Sequence, residues 1–436
     1  MLRYTVPKTS NARFVLSLVL VMLLAPTATD LYLASMPDIS SHLKVSYAQV
    51  QFTLTVYLLA QGLGQILFGP IIDRFGRRVP LLLGIVCFGA AALWAGASDT
   101  LSSLLLSRFV QGLAGALLLV IGFSSVRDRS DGAQAARIFA VLLTIEGLAP
   151  IFAPIAGGYI DALLGWRAAL WTSAVMAVVT FGNSFINLPE SLPKEKRLPL
   201  KIGQVLKTYA RIASDRHFLL PCLGLSSVFF FLFAYIGGGA YFYQTIHRLS
   251  PEHFGLVFGL TGSAVMFGAM LSSRQVKFRQ VADIACEGIV LMLVGTIFAF
   301  TASLTEYALF GVVAGFMLAM FGLGMAEPTL VSMTMASRKT ALGSTAALMG
   351  AVHLAIASLS TPVSGYLLPK SGHYWFLLLF LSGLAALGIT LAARRPVRPL
   401  ARALREKGTG RALLKSKRMG RPAIAPAGRH EPDLPK

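Results

Sequence analysis

The sequence predicts an all-α polytopic membrane protein with twelve transmembrane helices in two six-helix bundles, and three observations predict it. The 436-residue chain is 55% hydrophobic and only 13% charged, with a mean hydropathy of +0.68, outside the soluble globular range. Apolar runs of about 20 residues, enough at about 1.5 Å per residue to cross a hydrocarbon core of about 30 Å, recur along nearly the whole sequence. A polar, basic stretch halfway along divides them into six and six. The runs are continuously apolar and rich in Gly and Ala, with no two-residue alternation, so they are helices rather than barrel strands.

Taken in order, residues 1–13 form an N-terminal segment carrying Arg3, Lys8 and Arg13, and the first span covers 14–36. That run exceeds the apolar core of a signal peptide, which makes it an uncleaved first helix. Spans at 48–72, 79–97, 101–126, 137–164 and 167–188 complete an N-terminal bundle over 14–188. The break "PESLPKEKRLPLKIGQVLKTYARIASDR", 189–216, reads as a cytoplasmic linker. Spans at 218–246, 253–273, 281–303, 307–336, 342–368 and 374–393 then form a second bundle over 217–393. A 6 + 6 layout implies two bodies rocking about a central site. The tail, 394–436, is basic and bears Pro and Gly, as expected of a disordered cytoplasmic segment touching anionic lipid.

The formal net charge is +20, and the positions of the basic residues show why. With the N-terminus inside, all but five of the 39 Lys and Arg fall in the tails and inner loops; Lys44, Arg167, Arg248 and Lys370 face outward and Arg108 is intramembrane. This positive-inside asymmetry puts both termini in the cytoplasm and removes nucleic acid as the reason for the charge. Cys87, Cys222 and Cys286 stand alone in apolar segments and read as small core residues, with no metal or cofactor expected.

Three motifs carry chemistry. "GPIIDRFGRR" contains Gly69, Asp73, Arg74, Gly76, Arg77 and Arg78, glycines for a tight turn and charges that can pair with nearby loops and helix ends. "LLLSRFVQGLAGALLL" contains Arg108, Gln111 and Gly112, and an arginine in hydrocarbon needs an acidic or carbonyl partner. "EGLAPIFAPIAGGYI" contains Pro154, Gly157 and Gly158, which bend a helix and let a neighbour approach.

The pattern Gly-x-x-x-Asp-Arg-x-Gly-Arg-Arg resembles the major facilitator superfamily, as does Arg-x-x-Gln-Gly in the fourth span. The fifth span is similar to the antiporter branch's Gly-Pro-x-x-Gly-Gly motif, with Ala153 where that family usually has Gly. "ATDLYLASMP", "VRDRS" and "AYIGGGAYFYQTIHRLSPEHFGLVFGL" resemble the Bcr/CflA group of drug/proton antiporters, and the likeness spans about 14–393. The resemblance implies a monomer in the bacterial inner membrane. It also implies export of small lipophilic or cationic antimicrobials by alternating access, in exchange for protons, with membrane lipids as the surroundings. It further implies that Asp73, Arg74 and Arg77, with Gly69 and Gly76, steady one conformation rather than bind substrate.

Within the spans lie Asp30, Glu146, Glu327 and His353 besides Arg108. An intramembrane acid is a functional candidate because desolvation lets it trade a proton near neutral pH. Asp30, seven residues before Pro37, and Arg108, seven after Leu101, each fall about 10 Å from the outer surface, so a pair is feasible. Glu146 falls near the midplane, Glu327 precedes Pro328 in a long helix, and His353 reads as a packed histidine. Tyr57 and Gln61, on one face at i and i+4, Gln111, and Tyr235 and Tyr243 from an aromatic-rich seventh span are the expected cavity contacts.

A same-fold alternative is a proton-coupled transporter of a narrower metabolite such as an amino acid or sugar. An enzyme would need a catalytic Ser/His/Asp set, a metal cluster or a GxxxxGK[ST] loop, and none is present in the sequence. A scaffold would need a sizeable extramembrane domain. Reporter fusions after Pro199 and after Arg394 should both read cytoplasmic; a periplasmic signal at either would break the twelve-span count.

Overall fold

The computed structural model describes residues 11–394 apart from 131, 198, 200–201, 306–307 and 339–340. The N-terminal segment up to residue 10 and the basic tail beyond Arg394 lie outside the described residues. Every regular element described is helical. Among the described residues twelve helices are long and apolar enough to span a bilayer: α1 Ala12–Leu43, α2 Tyr47–Phe75, α3 Arg78–Gly96, α4 Leu101–Arg129, α5 Arg137–Leu164, α6 Trp166–Asn187, α7 Arg216–Ile246, α8 Pro251–Gln275, α9 Val281–Ala302, α10 Ala308–Met335, α11 Leu342–Leu367 and α12 Gly372–Ala393.

Local chemistry starts these helices. Ser46 accepts from the Gln49 N–H while the Gln49 side chain accepts from the Ser46 N–H, a capping box that opens α2. Thr100 caps α4 through the Ser103 N–H. Asp215 caps α7 through the His217 N–H at 2.9 Å and pairs with Arg338 at 3.3 Å. The His217 N–H first, and Arg338 after it, hold that carboxyl below its ordinary range.

α1 departs from the expected span. Regular helix stops at Asp30, a 3-10 turn covers Leu33–Ser35, and helix resumes over Met36–Leu43 with Pro37 in its first turn. Pro37 therefore starts a helical piece, where its missing N–H costs nothing, instead of ending the span. Lys44, at φ 53°, closes it. Asp30 thus lies thirteen residues, about 20 Å, from the end of its helix.

Lipid tails solvate leucine as well as a protein core does, so small residues and close backbones hold such helices together. α9 and α10 show it: a Cβ on Gly288 or on Gly322 would strike the other's carbonyl, and Gly315 lies against Ala299. In the N-terminal bundle Gly96 lies under the Trp171 indole and Gly89 against Ala177, joining α3 to α6. The C-terminal bundle buries a cluster of rings that includes Tyr235, Phe258, Phe316, Trp375 and Phe376.

Two seams join the bundles. Along α5 and α8, Gly158 rests on the Pro251 carbonyl, Gly255 on that of Pro154 and Gly259 on that of Ile151. Along α2 and α11, the Thr55 and Thr361 hydroxyls meet at 2.8 Å. Tyr47 and Gln51 both donate to the Gly237 carbonyl of α7 at 2.8 Å, and Gln244 donates to the Ala34 carbonyl at 2.8 Å. These bonds shut the seam at the face opposite the 188–215 connection.

That connection is more than a polar break. It contains a helix, Ile202–Ala213, with Tyr209 and Ile212 buried against Ile66, Phe218, Cys222 and Leu348. Tyr209 donates to the Ile66 carbonyl at 3.2 Å, while Leu206, Lys207 and Arg211 stay exposed. Cys222 and Cys286 are buried as expected, but Cys87 is exposed, on the face of α3 turned away from the bundle. Gly322→Val should lower the thermal midpoint in detergent, since overpacking costs about 1–3 kcal/mol; an unchanged melt would mean that α9 and α10 can part without loss.

Candidate translocation site

The site forms around Arg108, which α4 carries into the N-terminal bundle with no exposed surface. Its guanidinium lies between the rings of Tyr32 and Tyr57, 4.4 and 4.3 Å from their centroids, and Nη1 donates to Gln111 Oε1 at 2.6 Å. Such contacts are worth about 2 kcal/mol each when desolvated. The neighbouring glycine of the motif explains the geometry: a Cβ on Gly112 would strike the Tyr57 carbonyl, so only glycine lets α2 bring that ring over the arginine. Tyr57 donates to the Ala25 carbonyl at 2.9 Å and Tyr32 meets Thr53 at 3.1 Å, which fix both rings. Arg108 Nε and Nη2, and Gln111 Nε2, have no hydrogen-bond partner.

Asp30 is 8% exposed and receives a hydrogen bond from Thr29 Oγ1 at 3.1 Å. It does not pair with Arg108, contrary to the pairing the sequence made feasible. The two tyrosine faces and Gln111 occupy the guanidinium, and Tyr57 stands within electrostatic range of both charges. Asp30 is therefore a buried carboxyl with no ion-pair partner among the described residues, an arrangement that can gain or lose a proton without breaking an ion pair.

The other candidates are spread across the two bundles. Glu146 of α5 lies one turn on the linker side of Pro150, whose carbonyl rests near Gly262 of α8. Glu327 of α10 lies one turn beyond Gly324, which rests on the Val265 carbonyl of α8. Both are half-buried. His353 donates from Nδ1 to the Met349 carbonyl, 2.8 Å away, and its ring centroid is 4.4 Å from that of Phe229.

Of the expected cavity contacts, Tyr57 and Gln111 belong to the Arg108 cluster and Gln61, 9% exposed, shares the Tyr57 face. Tyr235 and Tyr243 pack against neighbouring rings in this conformation. Both are fully buried, Tyr235 stacked on Phe258 with its hydroxyl 3.0 Å from Thr261, and Tyr243 beside Phe254. In an aromatic-rich helix the rings that face the bundle interior are taken up by packing. Among the described residues no three His, Cys, Asp or Glu side chains gather as metal ligands would.

The charged loop after α2 is built as a network. Gly76 has φ +92°, a left-handed conformation that favours glycine, and a Cβ there would meet Glu190 and Arg197. Arg77 pairs with Asp73 at 2.8 Å and with Asp128 at 2.9 Å, and Ser191 donates to Asp128 at 2.9 Å. The Glu190 carboxylate accepts from the Arg77 N–H at 2.8 Å and the Arg78 N–H at 3.3 Å, sitting on the positive N-terminus of α3. Arg74 lies over Phe75 at the surface, and Gly69 has open space around it. Sequence reading missed Asp128, Glu190 and Ser191; the only signals were the acid inside "VRDRS" and the one beginning "ESL".

The fifth-span motif lies where it can affect both seams. Pro154 meets Gly255 and Gly158 meets Pro251 of α8, while Gly157 rests on the Leu31 carbonyl at the α1 break. Small residues at these positions bring α5 to backbone contact with α1 and α8 at once.

Comparison with known proteins fits this architecture. The Major Facilitator Superfamily profile matches residues 18–353. The chain is similar to a bicyclomycin resistance protein homolog of Haemophilus influenzae, 30% identical over 60% of this chain and 66% of that protein. It is similar to the multidrug transporter MdfA of Yersinia pestis, 26% identical over 87% of this chain and 93% of that one. In fold it is similar to a crystal structure of a D-xylose-proton symporter, with a TM-score of 0.68 at 15% identity, covering 89% of this chain and 98% of that one. With its twelve spans, its two seams and a profile match over most of its length, the chain belongs to the Major Facilitator Superfamily of membrane transporters.

Proposed function

We propose that this transporter exports small lipophilic or cationic antimicrobials across a bacterial inner membrane in exchange for protons, by alternating access, with the linker face and both termini in the cytoplasm. The observation that carries the reading is Asp30, a buried carboxyl inside a membrane span that pairs with no cation among the described residues. Similarity to proteins named for bicyclomycin resistance and multidrug transport supports the substrate class. The orientation rests on the basic residues of the loops.

In this reading the structure is the state shut toward the outside. A proton on Asp30 neutralises it; its release restores a negative charge for which a cationic or polar drug competes. Glu146 and Glu327 offer a second acidic element for a cationic group. The Asp73–Arg77–Asp128 network, with Glu190 on the α3 N-terminus, weights one conformation and touches no substrate. Pro154, Gly157 and Gly158 set how tightly α5 closes on α8.

Asp30→Asn should lower proton-driven efflux by roughly 100-fold or more in vesicles while the protein still inserts, and Arg108→Ala should do so with a lower melting midpoint. Full export against a gradient by Asp30→Asn would make this carboxylate structural. Asp73→Asn or Arg77→Ala should slow turnover several-fold and leave drug affinity nearly unchanged, measured by binding alongside transport. Equal loss of both would place the loop in the binding machinery.

A further inference from the structure

The face of α5 that meets the seam extends one turn past its motif. Pro154, Gly157 and Gly158 are followed at the helical interval by Asp161, so the four share one side of the helix. Asp161 is 4% exposed. Its Oδ1 accepts from Ser35 Oγ at 2.6 Å, and its Oδ2 is shielded with no hydrogen-bond partner. Ser35 belongs to the turn that breaks α1, and both bundles hold that turn: Gly157 lies on the Leu31 carbonyl and Gln244 donates to the Ala34 carbonyl. The carboxyl is thus enclosed in the shut seam, against the element that the seam closes upon.

The charges around it do not balance it. α1 brings Asp38 and α8 brings Glu252, next to the Pro251 carbonyl on Gly158. α6 brings Arg167, which is engaged by Asp99 at 2.7 Å and His42 at 3.3 Å. Arg248, on the connection before α8, makes no hydrogen bond to it, and among the described residues no cation pairs with Asp161. An ionised carboxylate enclosed with a single donor and acids nearby is a costly species, whereas a neutral carboxyl there is not.

We propose that Asp161 is the acid of the outer gate: it takes a proton from the outer solution when the seam shuts and returns it to the same side when the seam opens. It moves no net charge across the membrane and sets the pH at which the seam opens, separately from Asp30. The inference rests on the exchange reading above. The step is a protonation alone, in which water outside gives a proton to the carboxylate and the hydrated base remains in solution.

The test uses the full chain in right-side-out vesicles, with the native cysteines replaced and Thr361→Cys as reporter, since Thr361 is buried in the shut seam. A membrane-impermeant maleimide is applied from about pH 5 to about pH 9 outside, and each rate is normalised to the same cysteine in denatured protein. Labelling of the parent should slow by up to tenfold per unit fall in pH, the limit for one coupled proton. Asp161→Asn should label slowly with that slope removed. Asp161→Glu, and Ser35→Ala, which keeps the acid, should retain a slope with a moved midpoint. A parental slope in folded Asp161→Asn, or no slope in the parent, overturns the proposal. Asp30→Asn separates the two readings: loss of exchange with the slope intact supports two distinct acids, and loss of the slope in Asp30→Asn alone assigns gating to Asp30. If the parent exchanges no protons for drug yet shows a slope that Asp161→Asn removes, the gate stands and the exchange reading falls.

Discussion

A guanidinium cannot be left bare inside hydrocarbon, and the N-terminal bundle is arranged around that constraint. Insertion scales put an arginine at the centre of a span at about 2.5–3.5 kcal/mol, and Arg108 meets this with two aromatic faces and the Gln111 amide oxygen. Each partner imposes a requirement in turn. Tyr57 reaches the arginine only because Gly112 lets α2 close on α4. Tyr32 reaches it from the point where α1 loses its regular helix, just after Asp30. The break in α1 therefore places a carboxyl, an aromatic face and the Leu33–Ser35 turn within a few residues of each other.

The two ends of the molecule are held by different chemistry. At the linker face, ions and helix termini dominate: Arg77 bridges Asp73 and Asp128, and Glu190 sits on the start of α3. All of these belong to the N-terminal bundle and the connection, so that network stiffens one body. At the opposite face, the bundles meet through neutral hydrogen bonds to carbonyls and through glycines pressed on backbone. Such contacts are numerous and individually modest.

α5 connects these regions. One face of it touches the α1 break through Gly157, the start of α8 through Gly158 and Ser35 through Asp161. Movement of α8 against α5 therefore reaches the segment that carries Asp30 and Tyr32 without an intermediate layer of side chains. Close backbone contact transmits a shift because it leaves no soft side chain to absorb it.

By itself the sequence determined twelve spans, their division into six and six and the uneven spread of basic residues over the loops. Hydrocarbon thickness fixes helix length and the cost of burying charge fixes where Lys and Arg can lie, and both are properties of local stretches. It also singled out Arg108, Asp30 and the three motifs, because a charge or a proline in an apolar run is visible without a fold. It misread Pro37 as an end, passed over the linker helix and took Cys87 for a core residue, since each depends on which neighbour a surface meets. Only the tertiary structure decided that Arg108 lies against tyrosines and not Asp30, that Tyr235 and Tyr243 pack inward, and that Glu190 meets the start of α3 and Asp161 meets Ser35. A side chain's partner is set by how helices far apart in sequence are rotated against one another, and uniformly apolar helices, with no polar face to fix that rotation, carry little sign of it.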